Sequence, residues 1–584
     1  MTLALSGHRV EDGIAVGRAH VLQRNEIEIG EFKIGRKRVA AEIERLRRAV
    51  ADARENLSAL AERLQAAAGA SASEIIRTHV MMLEDSSLLD GAIAHIEKDL
   101  CNAEWAMQLQ LEALLTEFRA IDDDYIRSRA DDAAQVVRLV QNTLTDEGGE
   151  EPLSDVPDRL GHTLVVATEL TPGEMAILHE RGVAGVITEH GSPYSHTAIL
   201  ARGMGIPTVM GVRRAQSLIT EGEQLIMDGH YGVVFADPEE SILRHYLQKQ
   251  SESVRFRQAL DSLRERPAAS LDACEIRLMA NAERPDDMRQ AMADGAGGVG
   301  LYRSEFLFMS GEPPDEEAQL AQYREALKAL GGAPLTIRTL DIGADKTADL
   351  LDFQSLRSNP NPALGLRAVR LCLREVELFK IQLRAILRAS ALGPVRMLIP
   401  MLTTAREARA VRSLLAETRA ELDQAGIAYD PAMPMGGMIE VPAAALSLEA
   451  FANDLDFVSI GTNDLIQYLV AADRVDEHVA HLYDPQHPGV VHLLSHVFDT
   501  AARLQLPLAV CGEIAGDRRY TRLLLAMGLT EFSVQPRALL EVKKVINETD
   551  IGRVRDAMHR WREGDGQDRF PTLVQYLDDA QFHG

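Results

Sequence analysis

The sequence is poor in the features that mark several large classes of protein. Of its 584 residues only four are cysteine (Cys101, Cys274, Cys372 and Cys511), and they are scattered, with no C-x-x-C pair and no histidine cluster beside them. That argues against a disulfide framework or a structural zinc site and points to a reducing compartment. No apolar run approaches the ~20 residues a membrane-spanning helix needs. The stretch Met1 to Arg9 has no basic segment leading into an apolar core, so no secretory leader is expected and a cytoplasmic location is. Basic residues are short as well: 62 Lys and Arg against 88 Asp and Glu give a formal net charge of −26. Nucleic acid and membrane surfaces attract basic proteins, so neither is an expected partner. A basic protein partner fits this charge, as does an ordinary acidic cytosolic protein. Fixed-period repeats and low-complexity segments are missing, and proline is absent until Pro152.

What is present is too long for one core. Short strands fill residues 1 to 30, with Gly13–Gly17 leading into Ala19–Leu22. In the proline-free stretch from Arg36 to Leu144, apolar residues recur at three- and four-residue spacing, as in Val39 to Ala68, which predicts a long helical unit. Strands and helices then alternate, with strands expected at Thr163–Thr168, Gly185–Thr188, Thr208–Gly211 and Gln224–Asp228. The expected organisation is an α/β domain made of residues 1–35 and 145–236, with a helical domain, 36–144, inserted in it. Asp237-Pro238-Glu239-Glu240 reads as an N-cap, a first-turn proline and first-turn acids. The helix it opens is expected to run to Arg266 and stop at Pro267, making 237–266 a linker. Eight strand candidates follow: Glu275–Asn281, Gly298–Phe306, Leu335–Ile342, Val395–Met401, Gly436–Val441, Phe457–Gly461, Leu508–Cys511 and Glu531–Val534. Eight β/α units within residues 267–584 predict a closed parallel (β/α)8 barrel of the TIM type. The fold class is thus multidomain α/β.

Gly295-Ala-Gly-Gly-Val-Gly300 matches the dinucleotide pattern G-x-G-x-x-G, but a helix precedes it and a strand follows, the reverse of what that fingerprint needs. It reads as a helix C-cap and turn. His196, in Glu189-His-Gly-Ser-Pro-Tyr-Ser-His-Thr197, lies where a strand-to-helix turn ends. The N–H groups and positive dipole end of a helix there favour a neutral imidazole and a bound anion, which suits a histidine carrying a phosphoryl group. Taken alone, such a histidine is more often a cap or packing residue, and His190 is read as structural.

In the barrel half, charged residues stand at the C-terminal ends of apolar strands, the rim where this fold builds active sites. They are Arg303, Arg338 (with Arg367 in the loop region after it), Glu440, and Asn463 and Asp464 with Arg474 a helix later; Cys511 ends the seventh strand. Singly, Asp464 could cap a helix, Cys511 could be a small buried hydrophobe, and each arginine could be solvated. Together, several guanidiniums and two carboxylates on one rim suggest a small multiply anionic substrate held with a divalent cation, for which Mg2+ is suited.

At these residues the chain resembles, over essentially its whole length, the enzyme I family of the bacterial phosphotransferase system, the phosphoenolpyruvate–protein phosphotransferases. Segments 300–306, 337–341, 437–442, 459–465 and 511–516 carry the resemblance in combination. It implies a swivelling phosphohistidine domain, a helical domain that docks the phosphocarrier protein HPr or a paralogue, and a barrel that binds phosphoenolpyruvate and forms a homodimer. It further implies that His196 is the phosphorylated residue and that Thr171 orients it. Arg303, Arg338, Arg367, Asn463 and Arg474 would bind phosphoenolpyruvate, Glu440 and Asp464 would bind Mg2+, and Cys511 would protonate C3 of the enolate. Met81, Met82, Leu83 and Glu84 fall at the docking turn. Tyr194 departs from the family's Gly-Gly-x-Thr lead into Ser-His. Related phosphoenolpyruvate synthases and dikinases carry an ATP-binding domain for which this chain has no room. A nucleotide-linked enzyme and a non-catalytic, phospho-responsive protein are the alternatives.

Overall fold

The computed structural model describes residues 2–22, 30–67, 70–119, 124–145, 160–191, 195–308, 313–342, 361–474, 478–568 and 570–583. The chain forms two compact units that divide between Arg255 and Phe256. Among the described residues no helix is long and apolar enough to cross a membrane.

In the first unit, β1 (Leu3–Ser6), β2 (His8–Glu11) and β3 (Ile14–Val21) precede five helices: α1 (Val39–Ala67), α2 (Ala70–Glu84), α3 (Ser86–Asp99), α4 (Ala103–Arg119) and α5 (Asp124–Thr145). The spacing of apolar residues explains them. In α1, Leu46, Ala49, Val50, Ala53, Leu57 and Ala61 are buried on one stripe, and their core includes Ile76, Ile96, Met107 and Val137 from the other helices. The sheet resumes with β4 (Thr163–Ala167), β5 (Gly185–Thr188), β6 (Thr208–Met210), β7 (Gln224–Asp228) and β8 (Val233–Ala236), in the order β1-β8-β7-β3-β4-β5-β6-β2. β3 pairs in parallel with β4, from Arg18 opposite Thr163 to Val21 opposite Val166. The helical segment is therefore an insertion between two neighbouring strands of one sheet. β8, which is not among the strands expected from sequence, is the second arm of an antiparallel pair with β7.

Helices α6 (Pro172–Glu180) and α7 (His196–Met204) follow β4 and β5, a short α8 (Ala215–Leu218) follows β6, and α9 spans Glu240–Asp261. The expected helix from Asp237 to Arg266 is corrected at both ends. Asp237 has φ 47°, a left-handed conformation that cannot cap a helix in the usual extended geometry. At the other end the helix gives way after Asp261 to tight i→i−3 bonds, Leu263 N to Leu260 O and Arg266 N to Leu263 O.

The second unit is a closed barrel of eight parallel strands: β9 (Arg277–Ala282), β10 (Val299–Arg303), β11 (Leu335–Arg338), β12 (Val395–Ile399), β13 (Met435–Ile439), β14 (Phe457–Ile460), β15 (Leu508–Val510) and β16 (Glu531–Val534). β16 closes on β9, Glu531 opposite Arg277. The glycine-rich segment is a helix end: Gly295 has φ 83° and Gly298 φ 139°, and β10 starts at the next residue. At the strand starts the charges pair with one another, Arg396 Nη2 lying 2.9 Å from Glu531 Oε1. At the strand ends they face a different arrangement.

Candidate active site

The rim at the C-terminal ends of the barrel strands holds one connected set of charges. Arg338, the last residue of β11, donates from Nε to Glu305 Oε1 (2.9 Å), and its Nη1 lies 3.1 Å from Asp341 Oδ2. Arg367 donates to Asp341 Oδ1 from Nε (3.1 Å) and Nη2 (2.8 Å), to the Tyr468 hydroxyl from Nη1 (3.3 Å), and pairs with Asp464 at 3.3 Å. Asp341, 3% exposed, thus joins two of the arginines singled out in the sequence. Burial works against its charge, yet Arg338 and Arg367 together hold its carboxyl below the usual range. Burial works against the charge of Arg338 too, but Glu305, Asp341 and Glu440 outweigh it and raise its guanidinium above the ordinary value.

Glu440 is the first residue after β13 and is 3% exposed. Met401 N–H donates to its Oε1 at 2.6 Å. A Cβ built on Gly461 would come within 2.7 Å of its other oxygen, so only glycine leaves room for this carboxyl. Burial first, then the charges of Asp341 and Asp464, push the Glu440 carboxyl up to about 8. Carboxyls that repel one another in a buried place are what a divalent cation would relieve. Among the described residues no group of three or more His, Cys, Asp or Glu converges to hold a metal. A cation on Glu440 and Asp464 would therefore draw its remaining ligands from substrate and water, the usual habit of Mg2+.

A second cluster adjoins in sequence. Asn463 Oδ1 accepts from Glu513 N (2.8 Å), Asn463 Nδ2 donates to Glu513 Oε1 (2.9 Å), and Arg474 Nη1 reaches the same oxygen (3.1 Å). Two residues before Glu513, Cys511 is buried against Leu301, Leu398, Met438 and Phe457. Burial, with the Glu440 charge adding to it, pushes its thiol up to about 11, so at neutral pH it keeps its proton. Arg303 ends β10 and donates to Glu283 at 2.8 Å, outside both clusters. Glu305, Asp341, Tyr468 and Glu513 were missed in the sequence; each is a short step from a residue that was noticed, such as Asp341 three positions after Arg338.

In the first unit His196 is the first residue of α7, whose N-cap is Ser195, its hydroxyl accepting from Ala198 N at 3.2 Å. Residues 192–194, Tyr194 among them, lie outside the described residues, as does the His196 side chain. Thr197 Oγ1 donates to Leu170 O (2.9 Å), which ties the first turn of α7 to the residue before Thr171. Thr171 caps α6 in a reciprocal box: its hydroxyl donates to Glu174 Oε2 (2.8 Å) and accepts from Glu174 N (3.3 Å). The helical insertion packs on these two helices, since Ala176 and Leu200 belong to its core.

The docking turn needs a correction. Leu83 is 5% exposed and part of the helical core, on the same face as Ile76 and Val80, so it cannot present its side chain to a partner. Met81 is 60% exposed, Met82 is half-buried, and Glu84 is exposed, 3.8 Å from Arg54.

Residues 257–551 match the PEP-binding domain of the PEP-utilising enzymes, 161–232 their mobile domain, and 6–129 their N-terminal domain. The rim residues fall in the first match, Thr171 and His196 in the second, and Met81 to Glu84 in the third. The chain is 44% identical over 554 residues to the phosphoenolpyruvate-protein phosphotransferase of Cupriavidus necator, spanning 94% of each chain. To the proteins of that name from Geobacillus stearothermophilus and Haemophilus influenzae it is 36% identical, over 95% and 94% of each chain. With that likeness running through the rim and the His196 turn alike, the chain belongs to the phosphoenolpyruvate-protein phosphotransferases, the enzyme I family.

Proposed function

We propose that this enzyme moves the phosphoryl group of phosphoenolpyruvate onto His196, releases pyruvate, and passes the group to a histidine of HPr or a paralogue, as the first component of a phosphotransferase cascade. The observation that carries this reading is the largely buried Arg338–Asp341–Arg367–Asp464 chain beside the buried Glu440. It is an anion-binding rim whose Glu440 and Asp464 carboxylates would serve a cation. Arg338 and Arg367 bind the substrate's anionic oxygens, with Arg303, Asn463 and Arg474 completing the set. Mg2+ on Glu440 and Asp464 would neutralise charge on the phosphoryl and enolate oxygens.

A neutral nitrogen of His196 attacks phosphorus, a new N–P bond forms, and the P–O bond to the enol oxygen breaks. The enolate then takes a proton at C3 from the Cys511 thiol: a C–H bond forms, the S–H bond breaks, and water later restores the thiol. A thiol pushed up to about 11 is the protonated form this step needs. Thr171, one residue beyond the carbonyl that receives the Thr197 hydroxyl, would orient the imidazole by exchanging its bond to Glu174.

In this reading residues 1–35 with 145–236 carry the phosphohistidine, 36–144 receives the carrier at Met81, Met82 and Glu84, and 237–266 is the hinge about which His196 swivels between its two tasks. Residues 267–584 bind phosphoenolpyruvate and form the homodimer. A cytoplasmic enzyme serving sugar uptake or a regulatory branch fits that role. Incubation with labelled phosphoenolpyruvate and Mg2+, without nucleotide, is expected to give one acid-labile, base-stable phosphate per chain and an equal amount of pyruvate. A strict need for ATP or pyrophosphate would overturn the reading.

A further inference from the structure

The lumen of a (β/α)8 barrel is ordinarily filled by branched aliphatic side chains. Near Cys511 two polar residues interrupt that packing. Asn281, on β9, donates from Nδ2 to the Cys511 carbonyl at 3.0 Å. Ser533, on β16 and buried, donates to Asn281 Oδ1 at 2.7 Å and lies 3.3 Å from Ala280 O. The Cys511 carbonyl settles which way the amide faces: it can only accept, so Nδ2 is turned to it and Oδ1 is left to take the Ser533 hydroxyl. Room for the pair is built in, because a Cβ on Gly300 would come within 2.5 Å of Ser533 Oγ.

A half-buried amide and a buried hydroxyl are unfavourable in such a lumen unless they are bonded. Here their bonds are spent on each other and on the backbone of Cys511. From the opposite side the same turn is held by Cys511 N to Ile460 O (3.1 Å) and Glu513 N to Asn463 Oδ1 (2.8 Å). Glycine at 512 lets the two turns touch, since a Cβ there would lie 1.9 Å from Thr462 Oγ1.

We infer that Asn281, aimed by Ser533, is a positioning residue that fixes the Cys511 peptide so that the thiol delivers its proton to one face of the enolate. This rests on the reading of Cys511 as the acid. The proton path is unchanged by it: Sγ–H breaks, C3–H forms, and Asn281 gives up nothing. Neither Asn281 nor Ser533 is bonded to the arginines or carboxylates proposed to hold substrate and cation.

The test uses the full chain with phosphoenolpyruvate stereospecifically deuterated at C3, in tritiated water, and reads the chirality of the methyl group in the pyruvate formed. The parent is expected to give one enantiomer in excess. Cys511→Ala is expected to abolish the excess, the enolate being protonated from water. Asn281→Ala is expected to lower it to less than half, with kcat for pyruvate down about tenfold and KM for phosphoenolpyruvate within about twofold. Asn281→Asp keeps the volume and the Ser533 bond but turns an oxygen toward the Cys511 carbonyl. It is expected to behave like Asn281→Ala, with a melting curve showing that it folds. If both Asn281 variants keep the parent's excess while Cys511→Ala loses it, Asn281 has no positioning role. If Cys511→Ala itself keeps the excess, the acid is elsewhere and the inference falls with that reading.

Discussion

Arg367 grips a single oxygen of Asp341 with two guanidinium nitrogens, Nε at 3.1 Å and Nη2 at 2.8 Å. The other oxygen of Asp341 is left for Arg338. Removing this carboxylate would leave two mostly buried cations each a partner short, Arg338 keeping Glu305 and Arg367 keeping Asp464, at a cost approaching the ~3–5 kcal/mol of breaking a buried pair. Asp341→Ala is therefore expected to lower the urea midpoint and, in the folded fraction, to raise KM for phosphoenolpyruvate more than tenfold. The pH dependence follows from its depressed carboxyl. Its stabilisation is present above the unfolded carboxyl range, near pH 4, and is lost as pH falls through the lower folded value. The variant should lack that acid-side loss.

Thr171 stands in a capping box with Glu174. Thr171→Ala is expected to lower stability by about 1 kcal/mol, read as a shift in thermal unfolding, and Thr171→Ser to restore it. If the hydroxyl also serves His196, the alanine variant will be phosphorylated more slowly even at temperatures where it is fully folded.

The Cys511 thiol, raised to about 11 by burial, should alkylate slowly. Raising the pH populates the thiolate, so the rate with iodoacetamide should climb close to tenfold per pH unit from 8 to 10. A plateau reached by pH 9 would mean an ordinary thiol.

Gly512 meets Thr462 so closely that a methyl group would lie 1.9 Å from its hydroxyl oxygen and 2.6 Å from its backbone nitrogen. Gly512→Ala must push the two turns apart. A loss of about 1–3 kcal/mol and a fall in kcat larger than the rise in KM are expected from urea melts and steady-state kinetics.

The barrel was legible because parallel strands buried on both faces read as short apolar runs such as Leu335–Arg338 and Val395–Ile399. The charges ending those runs marked the rim. What the sequence concealed are pairings set by tertiary structure: Arg367 finds Asp341 across 26 residues and Arg474 finds Glu513 across 39. Asn281 and Ser533 sit 252 residues apart and carry no local signal. Leu83 is a different case. The helical period already puts it with Ile76 and Val80, so its burial could have been read from spacing alone. At Asp237 the expected cap failed because that residue takes a left-handed φ of 47° and the helix begins only at Glu240.

His196, as the proposed acceptor of the phosphoryl group, is the residue on which the proposed function depends most. The most direct measurement is phosphorylation of the full chain by labelled phosphoenolpyruvate with Mg2+, comparing the parent with His196→Ala and mapping the label by peptide mass. The parent should carry one acid-labile phosphate on the peptide containing His196, and the variant none. A His196→Ala chain that labels as well as the parent would contradict the account.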